Sequence, residues 1–231
     1  MKPLIFISYL IGAALFLACQ NGNPNLEDKT YSNNSEILSL VFDTLVGDKE
    51  SWKSQLLPIS VPLDSEAPNY HVENKRQKHE MDSIHFKLDT AAFFVFINDS
   101  LAIPAYNLDF IRSLSGKESF KANFPDVDTS KRHLLVRLAA NTSSKHFDLR
   151  KVNSRYSYKL KYLSSKPTQN KDLVVIGNVA FSQITYNKNK TVACIYSELV
   201  CGGLCGYGYI YFLEKHDNKW EIVAKRNLWV A

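Results

Sequence analysis

Cys194, Cys201 and Cys205 are the side chains of this sequence best equipped for covalent chemistry. Two of them close a glycine-rich stretch, Cys201-Gly202-Gly203-Leu204-Cys205-Gly206. Glycine lets the backbone bend far enough to bring two Cβ atoms together, so a Cys201–Cys205 disulfide is the first pairing to expect. It would staple the connection between two strands and leave Cys194 as a buried thiol. Pairing of Cys194 with Cys201 or with Cys205 competes with it. A thiol-redox role for Cys201 and Cys205 is the sharper alternative. Their spacing is C-x3-C, and no helix start is predicted there to lower a thiol pKa. A zinc site would ask for further Cys or His ligands, and only His216 is close in sequence.

Other chemistry is thinly represented. His79 and His85 are six residues apart, whereas two zinc ligands on one helical face are four apart. There is no G-x-S-x-G nucleophile elbow, no phosphate loop and no dinucleotide fingerprint. No catalytic residue, metal or cofactor is therefore assigned. Tyr207, Tyr209 and Tyr211 alternate along one strand face. Such a row can stack against a sugar or a partner chain, or simply pack across strands.

The N-terminus locates the protein. Lys2 is followed by an apolar run from Leu4 to Leu17 and then by Phe16-Leu17-Ala18-Cys19. The run is short for a spanning helix, which needs roughly 20 apolar residues. This arrangement resembles the lipobox of bacterial lipoproteins. The resemblance implies a signal peptide over residues 1–18 and a diacylglycerol on Cys19, with an acyl chain such as palmitate on its amine. Two or three acyl chains would hold a soluble body at a bilayer surface. The partner implied is thus the membrane, at the outer-membrane, periplasmic or surface face of the envelope. The formal charge of +5 is spread along the chain, and no nucleic acid partner is expected.

Residues 19–34 are polar and read as a flexible tether, leaving 35–231 as a single domain. Within it, Ile37, Leu40, Val41, Thr44 and Leu45 recur at helical spacing, with Gly47 placed to close the helix. A short helix anchored by Trp52 follows, and 59–80 reads as a loop. Ala92-Phe93-Phe94-Val95-Phe96-Ile97 reads as a buried strand near the sheet centre. Residues 107–114 suit one or two helical turns with Phe110 and Leu114 inward, 117–130 a loop, 133–140 a strand, with a helix as the alternative that the pattern alone leaves open, and 156–163 an edge strand. From Val174 onward the pattern is a β-meander, with turns at Asn187-Lys188-Asn189-Lys190 and His216-Asp217-Asn218-Lys219.

Twelve Tyr and thirteen Phe favour a β-rich body, and with the helices read at its N-terminus the expected fold is α+β, N-terminal helices packed on a mostly antiparallel sheet that ends in the C-terminal meander. The C-terminal segment, with Cys201-Gly202-Gly203-Leu204-Cys205-Gly206-x-Gly208, Leu213-Glu214-Lys215 and Lys219-Trp220-x-Ile222-Val223, resembles that of uncharacterised Bacteroidota lipoproteins and secreted proteins. That resemblance implies location and strand order and carries no activity. The expectation is a lipid-anchored envelope protein with a binding or structural role, with any protein or glycan partner left open. An envelope hydrolase whose site assembles only in three dimensions, and a thiol-redox protein, are the alternatives.

Overall fold

The computed structural model describes residues 24–57, 69–165 and 173–231. The leader, Cys19 and the start of the tether lie outside these residues, as do parts of the loops read at 59–80 and 164–171. The architecture is α+β.

Helix α1 (Pro24–Val46) buries Ile37, Leu38, Val41, Phe42 and Leu45 along one stripe. Gly47 closes it at φ 75°, with its N–H on the Asp43 carbonyl at 3.0 Å. The helix begins earlier than its apolar spacing predicts, within the stretch read as tether. Pro24 suits a first helical turn, and tertiary partners fix two of the polar residues that follow. Lys215 Nζ donates to Asn33 Oδ1 at 2.9 Å, and Tyr186 Oη donates to Asn34 Oδ1 at 2.6 Å. Helix α2 (Lys49–Leu56) is capped by Asp48 and anchored by Trp52, whose indole N–H donates to Val46 O at 2.7 Å.

Helix α3 (Tyr70–Thr90) takes up residues 70–80 of the stretch read as a loop. It buries only Leu88 fully and leaves Val72 and Phe86 exposed, so no apolar stripe marks it in the sequence. The Lys53–Asp89 ion pair, 2.8 Å, ties its end to α2. Strands β1 (Phe93–Ile97) and β2 (Ser100–Leu101) lead to α4 (Ala105–Leu114), α5 (Lys117–Asn123) and α6 (Arg132–Ala140).

Three expectations fail in this stretch. Residues 133–140 form a helix and not a strand, because Leu134, Leu135, Leu138 and Ala139 share one buried face. The loop read at 117–130 contains α5, which buries Phe120. On α4 it is Ile111 and Leu114 that point inward, while Phe110 is exposed.

The remaining strands are β3 (Lys145–His146), β4 (Lys159–Tyr162), β5 (Val174–Phe181), β6 (Thr185–Tyr186), β7 (Val192–Gly202), β8 (Cys205–His216) and β9 (Lys219–Val230). The main sheet runs β4-β1-β5-β7-β8-β9, with β6 added to β7, while β2 and β3 form a separate ribbon. β1 has neighbours on both sides but lies second from the β4 edge, and it is parallel to both β4 and β5. The β5, β7, β8 and β9 half is antiparallel. In the β8–β9 turn Asp217 (φ 48°) and Asn218 (φ 65°) both adopt left-handed backbone, the signature of a type I′ turn. In the β6–β7 turn the positive φ falls on Lys190 and not on an asparagine. Asn187 serves that turn with its side chain instead, accepting from the Thr191 and Val192 N–H groups.

Two layers of helix enclose the sheet. Ala193, Ile195, Leu199, Tyr211 and Leu213 pack with α1, while Cys194, Tyr196, Ile210 and Phe212 pack with α4, α5 and α6. Strands buried on both faces read as continuous apolar runs, which is why β7 and β8 dominate the sequence pattern.

Candidate functional site

Two places gather polar groups from elements distant in sequence. The first is a cavity of about 360 Å³ beside α1, within the range of small-molecule pockets. Leu38 of α1, Leu101 of β2, Phe147 and Ile184 supply its apolar wall. Lys145, His146, Asp148, Lys151, Gln183, Asn34 and Tyr186 supply its polar groups. Local hydrogen bonds hold this frame. Gln183 Nε2 donates to the Ser143 carbonyl at 2.6 Å, Ser35 Oγ donates to the Lys151 carbonyl at 3.0 Å, and Tyr162 Oη donates to the Phe147 carbonyl at 3.0 Å.

Charge in the cavity is unevenly committed. Arg150 grips Asp148 with both ends of its fork, Nε on Oδ1 at 2.9 Å and Nη2 on Oδ2 at 3.0 Å. That guanidinium holds the Asp148 carboxyl below the usual carboxylate range. Lys145 forms no ion pair among the described residues. Burial pushes the Tyr186 phenol well above its ordinary value, so it stays a neutral donor to Asn34.

The second place is a buried carboxylate on the opposite face of the sheet. Glu198 of β7 is 6% exposed and has no cationic partner among the described residues. It accepts instead from the hydroxyls of Tyr196 and Tyr106, the latter at 3.2 Å, and from Asn107 Nδ2 at 3.2 Å. Tyr106 and Asn107 stand in the first turn of α4, where the helix end favours negative charge. Trp229 Nε1, which can only donate, reaches Tyr196 Oη at 3.1 Å, and Asn107 Nδ2 donates to the same oxygen at 2.5 Å. The Tyr196 proton is therefore directed at Glu198. Burial, then the Glu198 charge, raise Tyr106 to about 12 and Tyr196 further still. Chemically the cluster is a carboxylate held by three donors, with the exposed Tyr106 as its link to solvent.

No family model, curated protein or solved structure matches this chain. The chemistry of the two places thus rests on their own geometry.

The sequence-predicted residues lie elsewhere. Cys201 and Cys205 form a disulfide across the β7–β8 hairpin, with Cα atoms 5.1 Å apart. Cys194 is a free thiol in the sheet, and burial raises its pKa far above the usual thiol range. The bond sits at a strand-to-strand turn whose tip, Leu204, is exposed, and no helix starts there. This setting suits a staple better than a reactive thiol pair. Reduction of the bond is expected to lower stability by about 2 kcal/mol, the chain-entropy value for so short a ring. The check is a urea titration with and without dithiothreitol. A thiol count by maleimide labelling on the oxidised Cys19→Ser chain should find Cys194 alone, and only after unfolding.

Tyr207, Tyr209 and Tyr211 face α1. Tyr211 is fully buried, and Tyr207 Oη donates to the Leu45 carbonyl at 2.9 Å, satisfying an open acceptor at the end of α1. Lys225 lies over Tyr209, its Nζ 3.8 Å from the ring centroid. The row is thus occupied by the protein's own helix and lysine. His79 and His85 are exposed on α3, and among the described residues no group of three or more His, Cys, Asp or Glu is placed to hold a metal ion.

Sequence reasoning passed over Glu198, Tyr196, Tyr106, Asn107 and Lys145. One signal was present for the first of these. Glu198 is the lone charge in the run Val192 to Val200, and a carboxylate inside a strand buried on both faces must find donors. No comparable signal marks the cavity, because α1, the β2–β3 ribbon and β6 meet there only by folding.

Proposed function

We propose that this chain is a lipid-anchored protein of the cell envelope whose folded body binds a ligand in the cavity beside α1. The anchor reading rests on Lys2, the apolar run and Leu17-Ala18-Cys19, and it gains support from the Cys201–Cys205 disulfide, since such bonds persist in oxidising compartments. The single observation that carries the binding reading is the cavity itself, with an apolar wall and convergent polar groups from four separate elements. The anchor is tested by metabolic labelling with an alkyne fatty acid in a bacterial host that processes lipoproteins. The native chain should take up label and sediment with membranes, and Cys19→Ser should lose both. Unlabelled native protein in the soluble fraction would overturn the anchor.

The hydrolase alternative draws on one observation, the buried Glu198 carboxylate in contact with the exposed Tyr106 hydroxyl. A general base needs this kind of reach to a group at the surface. Turnover of a chromogenic ester, glycoside or phosphate that disappears in Tyr106→Phe would favour it over binding alone.

A further inference from the structure

We propose that Glu198 and Asn178, on the face of the sheet opposite the cavity, form a site for a primary ammonium group carried on an alkyl chain. The site is independent of the cavity and of the ligand proposed for it. Glu198 is a buried carboxylate with no ion pair among the described residues. Its two oxygens are unequally filled. Oε2 accepts from Tyr196 and Asn107, whereas Oε1 accepts only from Tyr106, at 3.3 Å, longer than an ordinary O–H···O bond. The same Tyr106 hydroxyl straddles Oε2 at 3.2 Å, and its residue is 68% exposed, so it is the donor most easily displaced. An ionised carboxylate oxygen has room for about two donors.

A second demand stands beside the first. Asn178 Oδ1 is buried and accepts from nothing. Strand β5 pairs with β7 so that Ala180 lies opposite Glu198 and Asn178 opposite Val200. Paired residues share a face, as do alternate residues of one strand, so Asn178 is the diagonal neighbour of Glu198, about 7–8 Å away. The other two corners, Ala180 and Val200, bring no polar side-chain atom. An ammonium donating at about 2.8 Å to each of two oxygens joins side chains rooted at that spacing.

The chemistry of the pair selects the ligand. Water fills an orphan acceptor but leaves the charge unmatched. A guanidinium needs both carboxylate oxygens for its fork, and Oε2 is already taken by Tyr196 and Asn107. A quaternary ammonium has no N–H for Asn178. A hard metal ion takes about six or more oxygen ligands, and no group of three or more His, Cys, Asp or Glu stands here among the described residues. A primary ammonium supplies the charge and the donors together. Tyr106 and the partly exposed Val200 offer apolar surface to its chain.

Urea unfolding of the full chain in butylammonium chloride, against sodium chloride of equal ionic strength, tests the site. Butylammonium is expected to raise the midpoint, and the rise should grow with the logarithm of its concentration once the site fills. Tetramethylammonium and butan-1-ol should leave it unmoved. Asn178→Leu should weaken butylammonium about tenfold, the worth of a hydrogen bond to a charged group, while holding or raising the midpoint of the unliganded chain, since it replaces an orphan acceptor with an apolar group. Tyr106→Phe, at the exposed rim, should tighten butylammonium severalfold, because no hydroxyl then competes for Oε1. Glu221→Gln, at an exposed carboxylate of β9, should change nothing. An equal rise with tetramethylammonium would overturn the N–H donor, and an equal rise with butan-1-ol would overturn the charge. No rise with butylammonium, or an undiminished one in Asn178→Leu, would overturn the site itself. The blocked peptide Ac-Gly-Lys-Gly-amide assigns the source: binding tighter than butylammonium points to a lysine side chain, and weaker binding to a free amine.

Discussion

Glu198→Ala is expected to destabilise the protein by about 3 kcal/mol, the cost of leaving buried donors without an acceptor. The carboxylate is the common acceptor for Tyr196, Asn107 and Tyr106. Removing it strands the Tyr196 hydroxyl in the core, because the Tyr196 oxygen is already filled by the N–H groups of Trp229 and Asn107. It also cuts the polar link between the first turn of α4 and the sheet. Glu198→Gln keeps the shape but replaces one oxygen with an NH2 that meets other donors. Its cost should be smaller, about 1–2 kcal/mol. Urea unfolding followed by circular dichroism reads both, with an unchanged slope showing that only stability has moved. A Glu198→Ala midpoint equal to that of the native chain would mean that the apolar contacts of α4 alone hold it in place.

Gly208→Ala should be similarly damaging, by about 2–3 kcal/mol, through overpacking. A Cβ at Gly208 would overlap the Trp229 indole Nε1 and come within 2.8 Å of Tyr196 Oη. Gly208 pairs with Glu198 on β7 and with Trp229 on β9, so it lies between the two residues that the Tyr196 hydroxyl joins. Neither neighbour has room to retreat without breaking that chain of hydrogen bonds. Trp229 should swing toward solvent, which a red shift in tryptophan emission would report, since Trp52 and Trp220 are buried elsewhere. The decisive control is the double substitution. In a Trp229→Ala background Gly208→Ala should cost much less, because most of the clash has gone. If the two costs simply add, the indole is not what excludes a side chain at Gly208.

These two residues show how far the sequence carries. Gly208 is visible as a glycine, and its alternation with Gly206 on one strand face is a legible hint of close approach. What approaches is not legible, since Trp229 arrives from another strand across a bulged register. Likewise the buried charge at Glu198 can be noticed, but its donors on α4 sit about ninety residues earlier. The cavity is further out of reach. Lys145 and His146 look like ordinary surface residues until the β2–β3 ribbon places them opposite α1 and Gln183.

Local physics determined several features outright. The apolar spacing from Ile37 to Leu45 specifies the α1 helix and its Ile37, Val41 and Leu45 face, with Leu38 and Phe42 in place of Leu40 and Thr44 completing the buried stripe; Gly47 specifies its end, residues 216–219 a turn, and the two cysteines flanking two glycines make the local bond the first of three pairings. Each depends on residues within a few positions of one another, where backbone geometry and periodicity decide. Tertiary structure alone decided the rest. It made a helix of the apolar 132–140 stretch, because that stretch faces β7 from one side only and needs one buried stripe. It inserted β1 parallel between β4 and β5, two strands that follow it in the chain. It drew the Tyr207, Tyr209 and Tyr211 row beneath α1, and it assembled the Glu198 cluster on one face of the sheet and the cavity beside α1 on the other, each from residues far apart in the chain. Burial of a shared core sets those placements, and the groups that meet there are separated in sequence by distances over which no periodicity survives.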